Sequence, residues 1–239
     1  MECERLSDQR KRPESELPMH EGLFTYLDTN WSVDTHVTFV LDSSGSMQSI
    51  EDDTRGGFNS FLTDQRAEEG QATVTLVDFD TSVDVTYRSR DIEEAPELTD
   101  AAYTPSGQTA LHDAIVTAIE QADTQFDKRD TPPENVVIVV LTDGKENASE
   151  TPKATVRKMV EARQEDGWEF LFIGANQDAA LTAGEIGVDK DRTLNMDASS
   201  EGTQAAYDSA SQRISNARAE GTTDGFTDED RSRQENADQ

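Results

Sequence analysis

The chain has 239 residues, of which 50 are acidic and 21 are basic, so its formal net charge at pH 7 is −29. A surface this negative repels the phosphates of nucleic acids and the headgroups of anionic membranes, which excludes both as partners. Hydrophobic residues make up 33% of the chain. That low share predicts some disorder in a chain long enough for one sizeable domain.

The composition resembles that of proteins from salt-loving archaea, whose acidic surfaces stay solvated in concentrated salt. Lysine is scarce beside arginine, and acidic pairs such as Glu68-Glu69 and Glu93-Glu94 fall between predicted strands. A single cysteine, Cys3, excludes an intramolecular disulfide framework. The sequence has no segment typical of a signal peptide and no run near the roughly 18 apolar residues of a membrane span. We therefore expect a cytoplasmic protein.

Three regions are predicted along the chain. Residues 1–30 form a polar, partly disordered arm, in which residues 23–27 have enough apolar character to pack on the domain. Residues 31–220 form the domain. Residues 221–239 are predicted to be a disordered acidic tail, because only Phe226 and Ala237 are apolar after Gly221.

The first half of the domain predicts a strand, a helix and a hairpin. Residues 37–41 are apolar and largely β-branched, which is typical of a buried strand. A helical pattern follows, although Gly56 and Gly57 in its middle weaken it. Its inward positions are predicted to be Ile50, Thr54, Phe58, Phe61 and Leu62. Residues 72–79 and 83–87 are strands joined by a turn so short that they must run antiparallel.

The second half predicts strands that alternate with helices. Residues 136–141, VVIVVL, are the most apolar run and indicate a central parallel strand buried on both faces. The other predicted helices are 109–126, 153–166, 178–186 and 202–219, and the other predicted strands are 168–173 and 193–196. This alternation indicates an α/β fold. We expect a doubly wound, mostly parallel, Rossmann-like sheet with one antiparallel edge strand and helices on both faces.

Three polar loops lie where such a sheet binds ligands, at strand ends and helix starts. The first holds Asp42, Ser44 and Ser46, the second leads to Thr109, and the third places Asp143 after VVIVVL. Taken alone, the first loop is better explained by turn formation and helix capping. If the chain winds outward from its first strand in both directions, however, the first and third loops meet across one crevice. Their carboxylate and hydroxyl oxygens are suitable ligands for a hard cation.

The three loops resemble the metal-ion-dependent adhesion site of the von Willebrand factor type A family. That site has Asp-x-Ser-x-Ser after the first strand, a threonine on a second loop and an aspartate on a third. All five positions are filled here, by Asp42, Ser44, Ser46, Thr109 and Asp143. The resemblance covers about residues 35 to 220. The phrases GFNSFL, TDGKENAS and WEFLFIGANQDA are similar to small soluble prokaryotic members of the family.

The resemblance implies a function as well as a fold. Ser44, Ser46 and Thr109 are expected to ligate Mg²⁺, or Mn²⁺ or Ca²⁺, through their hydroxyls, and Asp42 and Asp143 to act mainly through bound water. Such an ion is left under-neutralised, so an Asp or Glu of a protein partner can complete its shell. Family habit suggests an AAA+ ATPase or another multi-protein assembly as that partner. We expect a non-enzymatic interaction module, with no catalytic residues and no organic cofactor.

The rival hypothesis is a metal-dependent phosphoester hydrolase. It has less support, because a phosphate site needs Lys or Arg and the three loops contain only Lys145. Some neighbouring polar residues stay open to two interpretations. Residues 176–178, Asn-Gln-Asp, are explained either as partner contacts or as a turn and helix cap, and residues 145–147 either as specificity residues or as a solvated loop. His112 is expected to be a surface or partly packed histidine.

Overall fold

The structure, a computed structural model, describes residues 34–175 and 179–237. The predicted arm lies outside the described residues. The strands are β1 (Thr35–Asp42), β2 (Ala72–Phe79), β3 (Val83–Asp91), β4 (Asn135–Thr142), β5 (Glu169–Gly174) and β6 (Thr193–Asn195). The helices are α1 (Glu51–Ala67), α2 (Leu111–Phe126), α3 (Lys153–Glu165), α4 (Ala179–Glu185), α5 (Ser200–Glu220) and α6 (Asp228–Ala237).

The six strands form one sheet in the order β3-β2-β1-β4-β5-β6. Among the strands of the described residues, only the β2–β3 pair is antiparallel, and the other four pairs are parallel. The chain thus winds outward from β1 in both directions, and β1 and β4 are direct neighbours, with Leu41 paired to Leu141. The predicted doubly wound fold with one antiparallel edge strand is confirmed.

The central strands are buried on both faces of the sheet, as a parallel sheet covered by helices requires. Along β1, Phe39 and Leu41 point to a core layer shared with α1 and α5. Val40 points to the opposite layer, which α2, α3 and α4 cover, and Ile138 of β4 does the same. The period-2 alternation of each strand therefore builds two apolar layers, one on each face of the sheet.

Helices α1 and α5 pack closely because a glycine leaves room between them. A Cβ atom on Gly57 would lie 2.2 Å from the Tyr207 ring, so the glycine that weakened the helix prediction is needed for this contact. Arg218 of α5 is buried, and its guanidinium donates hydrogen bonds to the Gln65 carbonyl in the last turn of α1 and to the Gly70 carbonyl in the loop that follows. It thereby satisfies oxygens that a helix end leaves without intrahelical partners.

The prediction of a disordered tail after residue 220 is corrected by the structure. Phe226 is buried in the core layer of α1 and α5, and α6 begins two residues later. Thr227 and Asp230 form a capping box, in which the Thr227 N–H donates to Asp230 Oδ2 at 2.8 Å and the Asp230 N–H donates to Thr227 Oγ1 at 3.2 Å. Local hydrogen bonds order a segment whose composition is almost wholly polar.

The segment after α5 covers the edge of the sheet at β6. The Phe226 N–H donates to the Asp191 carbonyl at 2.8 Å, and the Arg231 guanidinium donates to the Thr193 carbonyl at 2.7 Å. Gln234 accepts a hydrogen bond of 3.0 Å from the Asp197 N–H. Within the described residues, no helix is long and apolar enough to span a bilayer.

Candidate metal centre

The predicted metal ligands lie at the carboxyl ends of the neighbouring strands β1 and β4. Asp42 is the last residue of β1, and Asp143 directly follows Thr142, the last residue of β4. The Thr142 hydroxyl donates a hydrogen bond of 2.5 Å to Asp42 Oδ2 and accepts one of 3.1 Å from the Gly144 N–H. Thr142, which the sequence analysis missed, therefore ties the two sides of the crevice together.

The first loop turns its hydroxyls towards the third loop. The Ser44 N–H donates to Asp42 Oδ1 at 2.7 Å, which fixes the turn directly after β1. Ser44 Oγ and Ser46 Oγ lie 3.0 Å apart, and Ser46 Oγ donates to Asp143 Oδ1 at 2.5 Å. Residues 97 positions apart in the sequence are thus hydrogen-bonded, as the winding from β1 to β4 predicts.

Thr109, which leads into α2, completes the group. A Cβ atom built on Gly144 would lie 2.6 Å from Thr109 Oγ1 and 3.2 Å from Asp42 Oδ2. The two oxygens therefore converge on the space that the glycine leaves open. All five predicted residues are brought together, and Asp42, Ser44 and Thr109 are buried.

Both carboxyl groups sit in surroundings that disfavour their charge. Burial raises the pKa of Asp42, and the nearby charge of Asp143 adds to that rise, while hydrogen bonds from Thr142 and Ser44 oppose it. Burial also raises the pKa of Asp143, against the hydrogen bond from Ser46. A bound cation is the kind of neighbour that would favour the charged form of both groups.

Hydrogen bonds to its backbone position the first loop. The buried Tyr103 hydroxyl donates to the Asp42 carbonyl at 2.6 Å. The Ser43 N–H donates to the Phe79 carbonyl of β2, and the Ser43 carbonyl accepts from the Ser106 N–H, both at 2.7 Å. The candidate ligand oxygens therefore lie on a backbone that is held by β2 on one side and by the second loop on the other.

The second and third loops are cross-linked by the residues that follow Asp143. Asn147 Oδ1 accepts from the Thr109 N–H at 2.9 Å, and the Asn147 N–H donates to the Thr109 carbonyl at 3.1 Å. The Glu146 carboxylate accepts from the His112 N–H at 2.9 Å and from the Ser149 hydroxyl at 2.7 Å. Neither interpretation offered for residues 145–147, specificity residues or a solvated loop, includes this role: Glu146 and Asn147 anchor the second loop to the third.

The remaining candidates do not join the group. Residues 176–178, Asn-Gln-Asp, lie outside the described residues. The imidazole of His112 lies against Glu146, with Nδ1 3.9 Å from Oε2, and its side chain is only 12% exposed. This agrees with the expected packed histidine.

The donor set fits a hard divalent cation. It combines three hydroxyls with two carboxyls and includes no imidazole or thiol, and oxygen-only ligands favour Mg²⁺, Mn²⁺ or Ca²⁺. Within residues 34–175 and 179–237, no group of three or more His, Cys, Asp or Glu side chains is placed to hold a metal ion. A metal at this rim would therefore depend on the Ser44, Ser46 and Thr109 hydroxyls.

Solved structures with a similar fold come from several bacteria. The PilB minor pilin from Streptococcus sanguinis aligns with a TM-score of 0.61 at 15% identity, over 79% of this chain and 63% of that one. The vWF domain of the type V pili tip protein Mfa5 from Porphyromonas gingivalis has a TM-score of 0.61 at 11% identity, over 78% and 97% of the two chains. A von Willebrand factor type A protein from Catenulispora acidiphila has a TM-score of 0.57 at 16% identity, over 77% and 43%.

These identities support a shared fold and nothing finer. The chain spans less than two thirds of the length of PilB and of the Catenulispora protein. Comparison with curated protein sequences gave no significant match. The family model of the von Willebrand factor type A domain matches residues 36–218, from the first residues of β1 almost to the end of α5. The chain therefore belongs to the von Willebrand factor type A domain family.

Proposed function

We propose that the protein is a divalent-metal-dependent interaction module that binds an acidic side chain of a partner protein. The observation that carries this proposal is the convergence of the five oxygen-bearing residues Asp42, Ser44, Ser46, Thr109 and Asp143 at the ends of β1 and β4. Domains of this family generally serve as protein-interaction modules, which supports the same conclusion.

Each residue has a distinct part in the proposed site. Ser44, Ser46 and Thr109 would hold Mg²⁺, or Mn²⁺ or Ca²⁺, through neutral hydroxyl oxygens. Asp42 and Asp143 would act mainly through bound water and would orient the hydroxyls, as the Ser46–Asp143 hydrogen bond already does. Three neutral ligands leave most of the charge of the ion uncompensated, so a carboxylate of the partner completes its shell.

The partner is proposed to be a protein that presents Asp or Glu, such as an AAA+ ATPase or a component of a multi-protein assembly in the cytoplasm. The net charge of −29 disfavours nucleic acid and anionic membrane as alternatives. Hydrolysis of a phosphoester is not favoured. In the described loops of this rim Lys145 is the only basic residue, and Ser44 stands where an aspartyl-phosphate hydrolase usually has a second aspartate.

The test is calorimetric titration of Mg²⁺ and Mn²⁺ in concentrated KCl. Wild type should show saturable one-site binding, and the double variant Ser44→Ala, Ser46→Ala should show none, because it removes two hydroxyl ligands with little change in volume. Ser209→Ala is the matched control. It lies in α5, and its buried hydroxyl has no hydrogen-bond partner among the described residues.

Equal binding by wild type and the double variant would mean that the ions only condense on the acidic surface, and the proposal would fail. If the double variant still bound its protein partner in EDTA, that result would also contradict the proposal, independently of the metal titration.

A further inference from the structure

Buried hydroxyl groups without a hydrogen-bond partner lie near the starts of α1 and α5. Thr54 of α1 is 0% exposed and Tyr207 of α5 is 1% exposed, and neither hydroxyl has a partner among the described residues. Thr203, one turn before Tyr207, shares both properties. A buried hydroxyl normally has a partner, because leaving it unpaired lowers the free energy of unfolding. Groups of this kind at one place therefore suggest a bound polar molecule.

The packing of the Tyr207 ring fixes the position of its hydroxyl. The ring stacks on Phe39 of β1, with ring centres 6.2 Å apart and ring planes 19° from parallel. It also lies against Gly57, which follows Thr54 by one turn on the same face of α1. The hydroxyl is thus held in the core layer between α1 and α5 and does not reach solvent. A phenylalanine would make the same ring contacts without burying an unpaired polar group.

Tyr103 brings a third buried hydroxyl to the same place. Its proton is used in the hydrogen bond to the Asp42 carbonyl, so its oxygen remains free to accept. Burial raises the pKa of Tyr103, the nearby Tyr207 hydroxyl adds to that rise, and the Thr54 hydroxyl opposes it. The three hydroxyls are therefore neighbours, although Thr54 and Tyr207 make no direct hydrogen bond within the described part of the chain. Polar groups that are close without direct hydrogen bonds are the usual setting of a bridging water.

We propose that a buried water molecule binds between the hydroxyls of Thr54, Tyr103 and Tyr207. The Tyr207 hydroxyl donates to the water, the water donates to the Tyr103 oxygen, and Thr54 supplies the third hydrogen bond. A buried water typically makes about three hydrogen bonds to groups that would otherwise be unpaired. The water links α1 and α5 to the tyrosine that holds the Asp42 carbonyl at the end of β1. This site does not depend on whether a metal ion binds at the neighbouring loops.

The direct test is a crystal structure of the wild-type protein at a resolution that shows ordered water. It should contain a water oxygen within about 2.6–3.2 Å of all three hydroxyl oxygens, and the structure of Tyr207→Phe should lack it. A wild-type structure in which the hydroxyls bond directly to each other, or in which no density lies between them, would overturn the proposal.

Melting temperatures in EDTA and molar KCl provide a second test. Tyr207→Phe and Thr54→Val should each melt about 2–4 °C below wild type, because each removes a hydrogen bond to the water. The double variant should lose less than the sum, because both changes act on the same water. Ser209→Ala is the matched control. It removes another buried hydroxyl of α5 that has no partner among the described residues, and its melting temperature should not fall.

The sign of the shift separates a bound water from unpaired hydroxyls. If Tyr207→Phe and Thr54→Val melt at or above the wild-type temperature, as Ser209→Ala is expected to do, the hydroxyls are unpaired and the proposal is wrong. Losses that add fully in the double variant would also contradict it, because they would indicate two independent contacts. If a variant does not fold, the wild-type crystal structure alone decides.

Discussion

At the scale of single residues, His36 shows how the sheet holds a titratable group neutral. It is fully buried in β1, with Nδ1 2.8 Å from Thr73 Oγ1 and Nε2 3.1 Å from Thr38 Oγ1. Its ring meets the edge of Phe126 at 5.1 Å. Burial lowers the pKa of His36 to about 3, with a smaller contribution from the positive charge of Arg129.

This environment predicts an acid-sensitive term in the free energy of unfolding. The pKa of the folded state lies below the unfolded value of 6.5, so the unfolded chain binds the proton first as the pH falls. His36 therefore does not affect the free energy of unfolding above about pH 6.5. Between about pH 6.5 and about pH 3 it lowers the free energy of unfolding progressively, by up to about 1.4 kcal/mol per pH unit.

The variant His36→Gln removes this term. The difference in free energy of unfolding between wild type and variant should shift in favour of the variant by about 1.4 kcal/mol for each pH unit between roughly pH 6 and pH 4. Urea titrations in EDTA at constant high salt measure this difference. Parallel pH profiles for the two proteins would show that His36 is not buried in its neutral form.

The residues of the candidate site could be predicted individually because their types and spacing are local information. Asp42, Ser44, Ser46, Thr109 and Asp143 all follow strands or precede a helix in the sequence. The residues that hold them could not be found in that way. The Thr142 hydroxyl reaches Asp42 only because β1 and β4 are adjacent, and Tyr103 reaches the Asp42 carbonyl across 61 positions. Such contacts depend on strand order, which the hydrophobic pattern alone does not determine.

At the scale of elements, the start of α2 and the loop before α3 behave as one unit. Asn147 hydrogen-bonds to both the N–H and the carbonyl of Thr109, and the Glu146 carboxylate accepts from the His112 N–H in the first turn of α2. A side chain of α2 also binds the loop before α3: the Asp113 carboxylate accepts hydrogen bonds from the N–H groups of Glu150 and Thr151, both at 2.9 Å. The positions of Thr109 and Asp143 are therefore coupled through residues that are not themselves candidate metal ligands.

The variant Asn147→Ala should weaken Mn²⁺ binding about tenfold or more, because residues that orient metal ligands typically have effects of that size. Asn147→Asp keeps an acceptor for the Thr109 N–H and should keep the affinity. Asn216→Ala, on the distant face of α5, is the matched control. Calorimetry measures all four proteins, and equal loss in both Asn147 variants would mean that the cross-link does not position Thr109.

The elements themselves were predicted with differing success, for physical reasons. Strands and helices with strong apolar periodicity, such as β4 and α2, agree closely with their predicted bounds. Helix α6 was missed because its stability depends on the Thr227–Asp230 capping box and on polar contacts with α5 and β6. The pattern Thr-x-x-Asp at residues 227–230 is a capping signal, but the prediction considered only the scarcity of apolar residues.

At the scale of the whole molecule, the net charge of −29 has its own consequence for stability. Like charges spread over one domain repel each other in the folded state, and salt screens that repulsion. The sequence analysis interprets this charge as an adaptation to concentrated salt, and that interpretation stays a prediction.

The melting temperature should therefore rise on the order of 5–10 °C between dilute buffer and molar KCl, with NaCl having the same effect. Differential scanning calorimetry measures the rise, and EDTA in the buffer excludes a contribution from specific binding of divalent metal ions. A melting temperature that does not depend on monovalent salt would contradict an electrostatically strained surface.

The segment after α5 also affects whether copies of the protein can associate through the edges of their sheets. A sheet edge normally offers unpaired backbone groups to which a strand of another chain can add. Here β6 has only three residues, and the Thr193 carbonyl already accepts from Arg231. At the other edge, β3 has shifts of register against β2, and Ser89 has a positive φ of 41°. Both edges are thus poor templates for strand addition, so concentrated solutions should resist fibril formation even in salt that screens the repulsion between molecules.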